Sequence, residues 1–367
     1  MRAAIVSHTY IDPALRGKLR ALAGLGCTVA ALVPDRWEDS ATGESHARWQ
    51  ADAGVQIIPV EVAGDADDLG GLNWSRRALR RTLKDFRPDV VQVEEEPWTR
   101  AAAGAVAESR RIRVPVVGFT SETIPRPLPF RLSLRKRGVL RQLRGIITAN
   151  HLSESLVAAS NPALARLVTP QTGLVAPVTT APGNHDRFVI GFAGRLVPEK
   201  GLDVLLRAAV KLVGPWSLIV SGTGPAQEEL EALAERLGIA ARVRWLGAQP
   251  RDDRALLWPQ LDCFVAPSRG TRQWVETLGP AVITAMAHGV PVVVARTGAL
   301  PATVGEAGVV VPEDDPAALT EVLQRLMVSP ADRGALAVAG RRRALQEFAD
   351  EAIAQRTLEF WRSLRAE

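Results

Sequence analysis

The feature that most limits what this chain can fold into is an alternation of short apolar runs with segments of helical spacing, occurring in two successive series. In the first series the apolar runs fall at residues 3–6, 29–33, 55–60, 90–93, 114–119 and 146–149. Between them lie helical patterns such as Leu15, Leu19 and Leu22 with Ala14 and Ala21, and the alanine-rich stretch 101–107. Runs of this length that are apolar throughout suit strands buried on both faces, and their alternation with helices predicts a parallel, two-sided sheet. A polar stretch with Pro and Gly, Thr179 to Asp186, then reads as a linker. The second series follows, with strands expected at 188–193, 216–221, 243–246, 263–266, 290–295 and 309–311 and helical spacing such as Val204, Leu205, Ala208, Ala209 and Leu212.

Beyond the last strand the spacing predicts helix over 317–326, which Pro316 can open, then over 336–345 and 353–364. The expected fold class is therefore α/β, with an N-terminal Rossmann-like domain over 1–180, a second over 188–345 and a C-terminal helix over 346–367. The apolar positions of that helix, Phe360 and Trp361 among them, need a surface on the second domain or, by crossing back, on the first. Open parallel sheets bind ligands beyond the carboxyl ends of their strands, so two such domains facing one another are expected to share a site.

A length of 367 residues suits two cores better than one. Hydrophobic residues at 47% and charged ones at 23% have the balance of a folded protein. No apolar run approaches the roughly 18 residues that a membrane-spanning helix needs. The first one ends at Val6, short of a signal-peptide core, so a cytoplasmic location is expected. Cys27 and Cys263 each lead into an apolar run and read as buried small hydrophobes, without a disulfide or zinc. A net charge of +5 is mild for a nucleic-acid binder, and no nucleic-acid partner is expected.

The second series carries the chemistry. The strand at 188–193 runs into Gly194-Arg195 and Lys200-Gly201 before a helix. Small residues there let an anion approach backbone N–H groups, and two cations suit a diphosphate; a pair of solvated surface charges is the plainer reading. Gly222-Thr223-Gly224 resembles half of a dinucleotide fingerprint, but Gln227 stands where a third glycine belongs, so a tight turn before the helix is favoured over a dehydrogenase site. Glu276 precedes Gly279-Pro280, which can open the helix 281–288 and leave its first N–H groups free. A carboxylate beside an anion site repels phosphate and is better used on hydroxyls, and one ligand with both phosphates and hydroxyls is a nucleotide sugar.

Taken in order and spacing, Gly194-Arg195, Lys200-Gly201, Gly222-Thr223-Gly224, Trp245-Leu246-Gly247, Ala266-Pro267-Ser268, Glu276 with Gly279, the segment from Ala285 to Val293, and Gly298 with Pro301 resemble the C-terminal domain of retaining family 4 glycosyltransferases. The resemblance is strong over 188–345 and mostly architectural before that. It implies the GT-B architecture. It also implies that Arg195 and Lys200 bind the donor diphosphate, that Glu276 contacts the transferred sugar, and that Leu278, Gly279 and Pro280 line the sugar-phosphate site, with Gly194, Gly222 and Gly224 beside it. The family's second carboxylate belongs eight positions after Glu276, where this chain has Thr284. The usual carboxylate hold on the ribose is thus missing. The family's first-loop glycines and its histidine near the reacting sugar are not matched either, and His8 and Glu122 are the candidates on the acceptor side, each equally readable as a loop cap.

The resemblance implies a retaining transfer from a nucleotide diphosphate sugar to a saccharide, natural-product or lipid-linked acceptor, and no metal and no cofactor are expected. The Asp65-Ala66-Asp67 triplet lies outside the loops assigned to the donor, and Glu94-Glu95-Glu96 reads as a strand-end loop or an acceptor contact. The rival from another class is a non-catalytic nucleotide-sugar-binding subunit, suggested by Thr284.

One segment is left over. Arg126, Arg131, Arg135, Lys136, Arg137, Arg141 and Arg144 occur without an intervening acid and are interleaved with Leu128, Phe130, Leu132, Leu134, Val139, Leu140 and Leu143. The pattern suits a helix lying on an anionic membrane surface, a solvated helix whose leucines face the core, or a contact to a phosphate-bearing acceptor.

Overall fold

The computed structural model describes residues 1–39, 43–64, 71–177, 186–249 and 257–364. Its contacts divide the chain into two units, Met1–Val175 with Ala349–Glu367, and Ala176–Phe348. The Asp65-Ala66-Asp67 triplet and all of the linker stretch except Asp186 lie outside the described residues.

In the first unit the strands are β1 (Arg2–Val6), β2 (Thr28–Pro34), β3 (Arg36–Asp39), β4 (Gly43–His46), β5 (Gln50–Asp52), β6 (Val55–Val60), β7 (Val62–Ala63), β8 (Asn73–Trp74), β9 (Val90–Val93), β10 (Val116–Thr120), β11 (Gly145–Thr148) and β12 (Ala165–Val168). The helices are α1 (Gly17–Gly24), α2 (Arg76–Phe86), α3 (Arg100–Arg111), α4 (Phe130–Leu140) and α5 (His151–Ser160). The main sheet has the order β12-β11-β10-β9-β1-β2-β6-β5. Alternate residues of β1 serve opposite cores. Ala4 and Val6 meet Leu79, Leu83 and Ala105 of α2 and α3, whereas Ala3 and Ile5 meet Leu19 and Leu22 of α1.

The all-parallel sheet expected from the apolar runs fails at one edge, where β5 is antiparallel to β6. Ala53 and Gly54 between them have φ of 47° and 87°, the backbone of a two-residue hairpin whose twist matches its strands. The hairpin β3–β4 and the short pair β7–β8 were not expected either, because their residues lack an apolar run.

The second unit contains β13 (Phe188–Ala193), α6 (Leu202–Ala209), β14 (Trp216–Ser221), α7 (Gln227–Arg236), β15 (Val243–Trp245), β16 (Cys263–Ala266), α8 (Pro280–Ala287), β17 (Val292–Ala295), α9 (Leu300–Val304), β18 (Val309–Val311), α10 (Pro316–Val328) and α11 (Pro330–Phe348). Its sheet, β15-β14-β13-β16-β17-β18, is parallel throughout. Pro316 does open α10, where the Asp315 carboxylate also accepts a bond from Ala318 N. Cys27 and Cys263 are free and buried, and burial pushes both thiols up.

The last helix, α12 (Asp350–Ser363), belongs to the first unit and packs along α1. Ala354, Leu358, Trp361 and Leu364 fall at helical spacing and enter the same core as Ile5 and Leu19. Asp350 at its start accepts a bond from Gly173 N at 3.1 Å. Gly17 makes room for that carboxylate, since a Cβ there would lie 1.8 Å from Asp350 Oδ2.

Candidate active site

Each sheet has one place where the chain leaves its neighbours in opposite directions, between β13 and β16 in the second unit and between β1 and β9 in the first. The loops at the carboxyl ends of such a strand pair diverge and leave a crevice, which is where α/β sheets take their ligands.

In the second unit the loops after β13 and β16 are drawn together by Gly201, whose φ is +66°. A Cβ at Gly201 would sit 2.0 Å from Pro267 O, so no other residue permits this approach. Arg269 N completes the contact by donating to Glu199 O at 2.9 Å. As a result Lys200 Nζ donates to Glu276 Oε1 at 2.5 Å, and Ser268 Oγ donates to the same oxygen at 2.8 Å. The ammonium also stands 5.1 Å from the centre of the Trp274 ring. Glu276 is buried, so it is not a solvated loop carboxylate. The following loop holds its backbone, with Ala299 N donating to Glu276 O at 2.8 Å.

Gly279, with φ of +72°, stands at the N-cap of α8 and Pro280 is its first residue. No side chain caps this helix end, so the first-turn N–H groups remain available to water or a ligand. Leu278 is half-buried just ahead of it and its carbonyl accepts a bond from Thr303 Oγ1. Thr284 lies one turn further on and its hydroxyl donates to Pro280 O at 2.9 Å, which occupies its proton within the helix.

Gly222 and Gly224 serve loop packing. A Cβ at Gly222 would lie 1.8 Å from Gly194 O, and one at Gly224 would lie 2.3 Å from Leu196 O. The tight-turn reading of this Gly-x-Gly accounts for both. The loop they support, starting at Gly194, presents Arg195 exposed, its side chain without a hydrogen bond or ion pair to any described residue.

In the first unit His8, just after β1, meets Glu95, just after β9. The His8 ring Nδ1 lies 2.9 Å from Glu95 Oε2, its backbone N donates to Glu95 Oε1 at 3.1 Å, and the ring stacks on Trp37 with centroids 4.8 Å apart. Burial alone would lower the imidazole pKa, but the Glu95 carboxylate outweighs it and holds His8 above its ordinary value. Glu94 is the hub of a buried network, accepting from Lys18 Nζ at 2.6 Å, Gln92 Nε2 at 2.5 Å and Gln171 Nε2 at 3.0 Å. Glu96 accepts from Thr120 and Ser121, and burial raises its pKa. Glu122 pairs with Lys136 and not with His8.

The comparisons with known proteins follow this division. A model of group 1 glycosyl transferases matches residues 187–329, and a glycosyl transferase 4-like domain matches 11–172. A D-inositol 3-phosphate glycosyltransferase of Mycobacteroides abscessus is 32% identical over 304 residues, covering 72% of this chain and 67% of that protein. The chain belongs to the family 4, group 1 glycosyltransferases. A GDP-mannose-dependent alpha-(1-6)-phosphatidylinositol monomannoside mannosyltransferase of Mycolicibacterium smegmatis is 38% identical over 173 residues, 45% of each protein. The chain therefore spans less than half the length of that relative. The GT-B fold expected for this family is found in full. Sucrose-phosphate synthase from Thermosynechococcus elongatus superposes over 100% of this chain and 99% of its own with a TM-score of 0.75 at 18% identity.

Within this glycosyltransferase, sequence reasoning had named both partners of the Lys200–Glu276 pair without pairing them. It missed Ser268 and Trp274 beside them, and Trp37, Lys18 and Gln171 in the first unit. Ser268 stands in the sequence only as part of the Ala266-Pro267-Ser268 motif, because its bond depends on a carboxylate delivered by the same loop eight residues later.

Proposed function

We propose that this glycosyltransferase moves a sugar from a nucleotide diphosphate donor to an acceptor hydroxyl with retention and without a metal. The observation that carries the reading is the Lys200–Glu276 pair at the crevice between β13 and β16, beside the open end of α8 and the unpaired Arg195. As the bond from sugar carbon to phosphate oxygen breaks, negative charge grows on the leaving diphosphate. Arg195, Lys200 and the N–H groups of α8 stabilise that charge, fixed donors of this kind being worth about 3 kcal/mol each. Glu276, held by Lys200 and Ser268, accepts from hydroxyls of the transferred sugar, which Leu278, Gly279 and Pro280 line. Gly194, Gly222 and Gly224 shape the backbone behind it. The acceptor oxygen forms the new bond on the same face, and its proton passes to the departing phosphate oxygen.

The first unit supplies acceptor recognition in this reading, through His8 and the loop of Glu122. The acceptor is a hydroxyl-bearing saccharide, natural product or lipid-linked sugar, and the protein is cytoplasmic. A second reading, a nucleotide-sugar-binding subunit without transfer, is favoured by one observation: Thr284 places a neutral, internally bonded hydroxyl where the family's second carboxylate belongs.

The test is a thermal-shift panel of nucleotide diphosphates and their sugars on the purified chain, followed by product analysis with the stabilising donor. Stabilisation by a diphosphate and its sugar, with transfer that persists in excess chelator, supports the enzyme. Stabilisation without any sugar transfer supports the binding subunit, and loss of transfer restored by magnesium or manganese overturns the metal-free mechanism.

A further inference from the structure

The basic segment divides into two faces. On the inner side of α4, Val139 and Leu140 are buried with Leu143 in the core of the first unit. The cations on that side are occupied, Lys136 by Glu122 and Arg135 by Trp98 O at 3.1 Å. On the outer side, Phe130, Leu134, Arg137 and Arg141 follow one another at helical spacing and share one face. Phe130 is 77% exposed and Leu134 51% exposed. Arg131, Arg137, Arg141 and Arg144 are exposed around them, and their side chains make no hydrogen bond or ion pair with a described residue.

A solvated helix would turn its large apolar residues inward and leave charge outside. Here the core already takes Val139 and Leu140, and a phenyl ring and a leucine are left exposed within a cationic stretch, 123–144, that contains no acid. Free arginines around two exposed apolar anchors match a surface that is anionic at its headgroups and apolar just beneath them. A soluble phosphate would satisfy the arginines and leave Phe130 and Leu134 without a partner.

We infer that the outer face of α4 docks on an anionic lipid bilayer, with Phe130 and Leu134 inserted at the headgroup boundary and Arg131, Arg137 and Arg141 on the lipid charges. The inference rests on the reading of the first unit as the acceptor unit, because Lys136 and Arg135 tie α4 to the loops of Glu122 and Trp98 at the carboxyl edge of its sheet. Docking then brings a lipid-linked acceptor to that edge. Reversing Arg135, Lys136 and Arg137 together would break internal contacts, whereas Arg131, Arg137 and Arg141 reach outward only.

The experiment is co-sedimentation of the whole chain with phosphatidylcholine vesicles, with and without about 30% phosphatidylglycerol, at low and at high salt. Binding is expected to the anionic vesicles only, and it weakens as salt rises. At about fivefold per cation, the triple variant Arg131→Glu, Arg137→Glu, Arg141→Glu should bind at least about a hundredfold more weakly. Phe130→Ser with Leu134→Ser should weaken vesicle binding at every salt concentration. Binding that ignores Phe130 and Leu134 and is matched by double-stranded DNA would assign the surface to a soluble polyanion and overturn the proposal, as would no vesicle binding at low salt. The thermal shift given by a nucleotide diphosphate should be unchanged in both variants. Its loss in the parent chain would speak against the donor site instead, so the two failures are distinguishable.

Discussion

Lys200 and Glu276 are joined by a 2.5 Å hydrogen bond across the crevice of the second unit, although 76 residues separate them. A cation assigned to phosphate and a carboxylate assigned to sugar hydroxyls thus hold each other in place before any donor arrives. The pair is partly screened, with the Lys200 side chain 23% exposed and that of Glu276 8% exposed.

Removing both partners should therefore cost less than the sum of removing each alone. Lys200→Met leaves the Glu276 carboxylate with Ser268 alone, and about 1–3 kcal/mol of stability should be lost. Lys200→Met with Glu276→Gln should be less destabilised than the sum of the single changes, which urea unfolding of the four proteins measures. Turnover should fall at least about tenfold in every variant, since each removes a contact to the donor. Additive stabilities with unchanged turnover would reject the pair as part of the site.

Arg195 separates binding from folding cleanly. Its side chain is exposed and has no partner among the described residues, so Arg195→Ala should change unfolding stability by no more than about 0.5 kcal/mol. The same change should lower turnover at least about tenfold and weaken free nucleotide diphosphate binding. Unaltered kinetics in this variant would remove Arg195 from the diphosphate site.

Thr284 tests ribose recognition. Its hydroxyl bonds to Pro280 O, so replacing it removes only a bond within the helix. In Thr284→Glu a carboxylate one turn into α8 can accept from both ribose hydroxyls, each such bond being worth about 1.5–3 kcal/mol. Native binding should discriminate poorly between ribose and 2′-deoxyribose donors, and Thr284→Glu should favour the ribose form at least about tenfold. Calorimetric titration of both donors, with the melting temperature as a control for burial of the new charge, decides the matter. An unchanged preference in a stable variant would place the ribose elsewhere.

The His8–Glu95 pair makes a pH-dependent contribution whose sign is fixed. The folded pKa of His8 lies above its ordinary value of 6.5, so the folded state favours the imidazolium. Its stabilisation is fully present below pH 6.5 and is lost as pH rises through the raised folded value. The melting-temperature difference between the parent chain and His8→Asn should accordingly be largest in mild acid and should shrink toward alkaline pH. A difference independent of pH would mean that the imidazole is neutral against Glu95.

The set of elements, and the chemistry of the loops between them, could be read from the order of residues. Strands such as β13 and β16 lie inside a parallel sheet covered on both faces, and only continuous apolar runs survive there, so they were legible without any coordinates. Gly279-Pro280 likewise announces the start of α8, because a proline at the first helical position needs no N–H. The edge strand β5 escaped notice since two of its three residues are polar and its direction is set by the Ala53-Gly54 turn. Only the tertiary structure decided which loops meet. Strand order brings Lys200 to Glu276 and His8 to Glu95, the latter pair 87 residues apart, and no local periodicity encodes a partner at that distance. The apolar stripe of α12 was visible as a stripe. Its place against α1 follows from a core that Leu19, Leu22 and Ile5 leave open to Leu358 and Trp361, a fit of volumes that exists only once the sheet has formed.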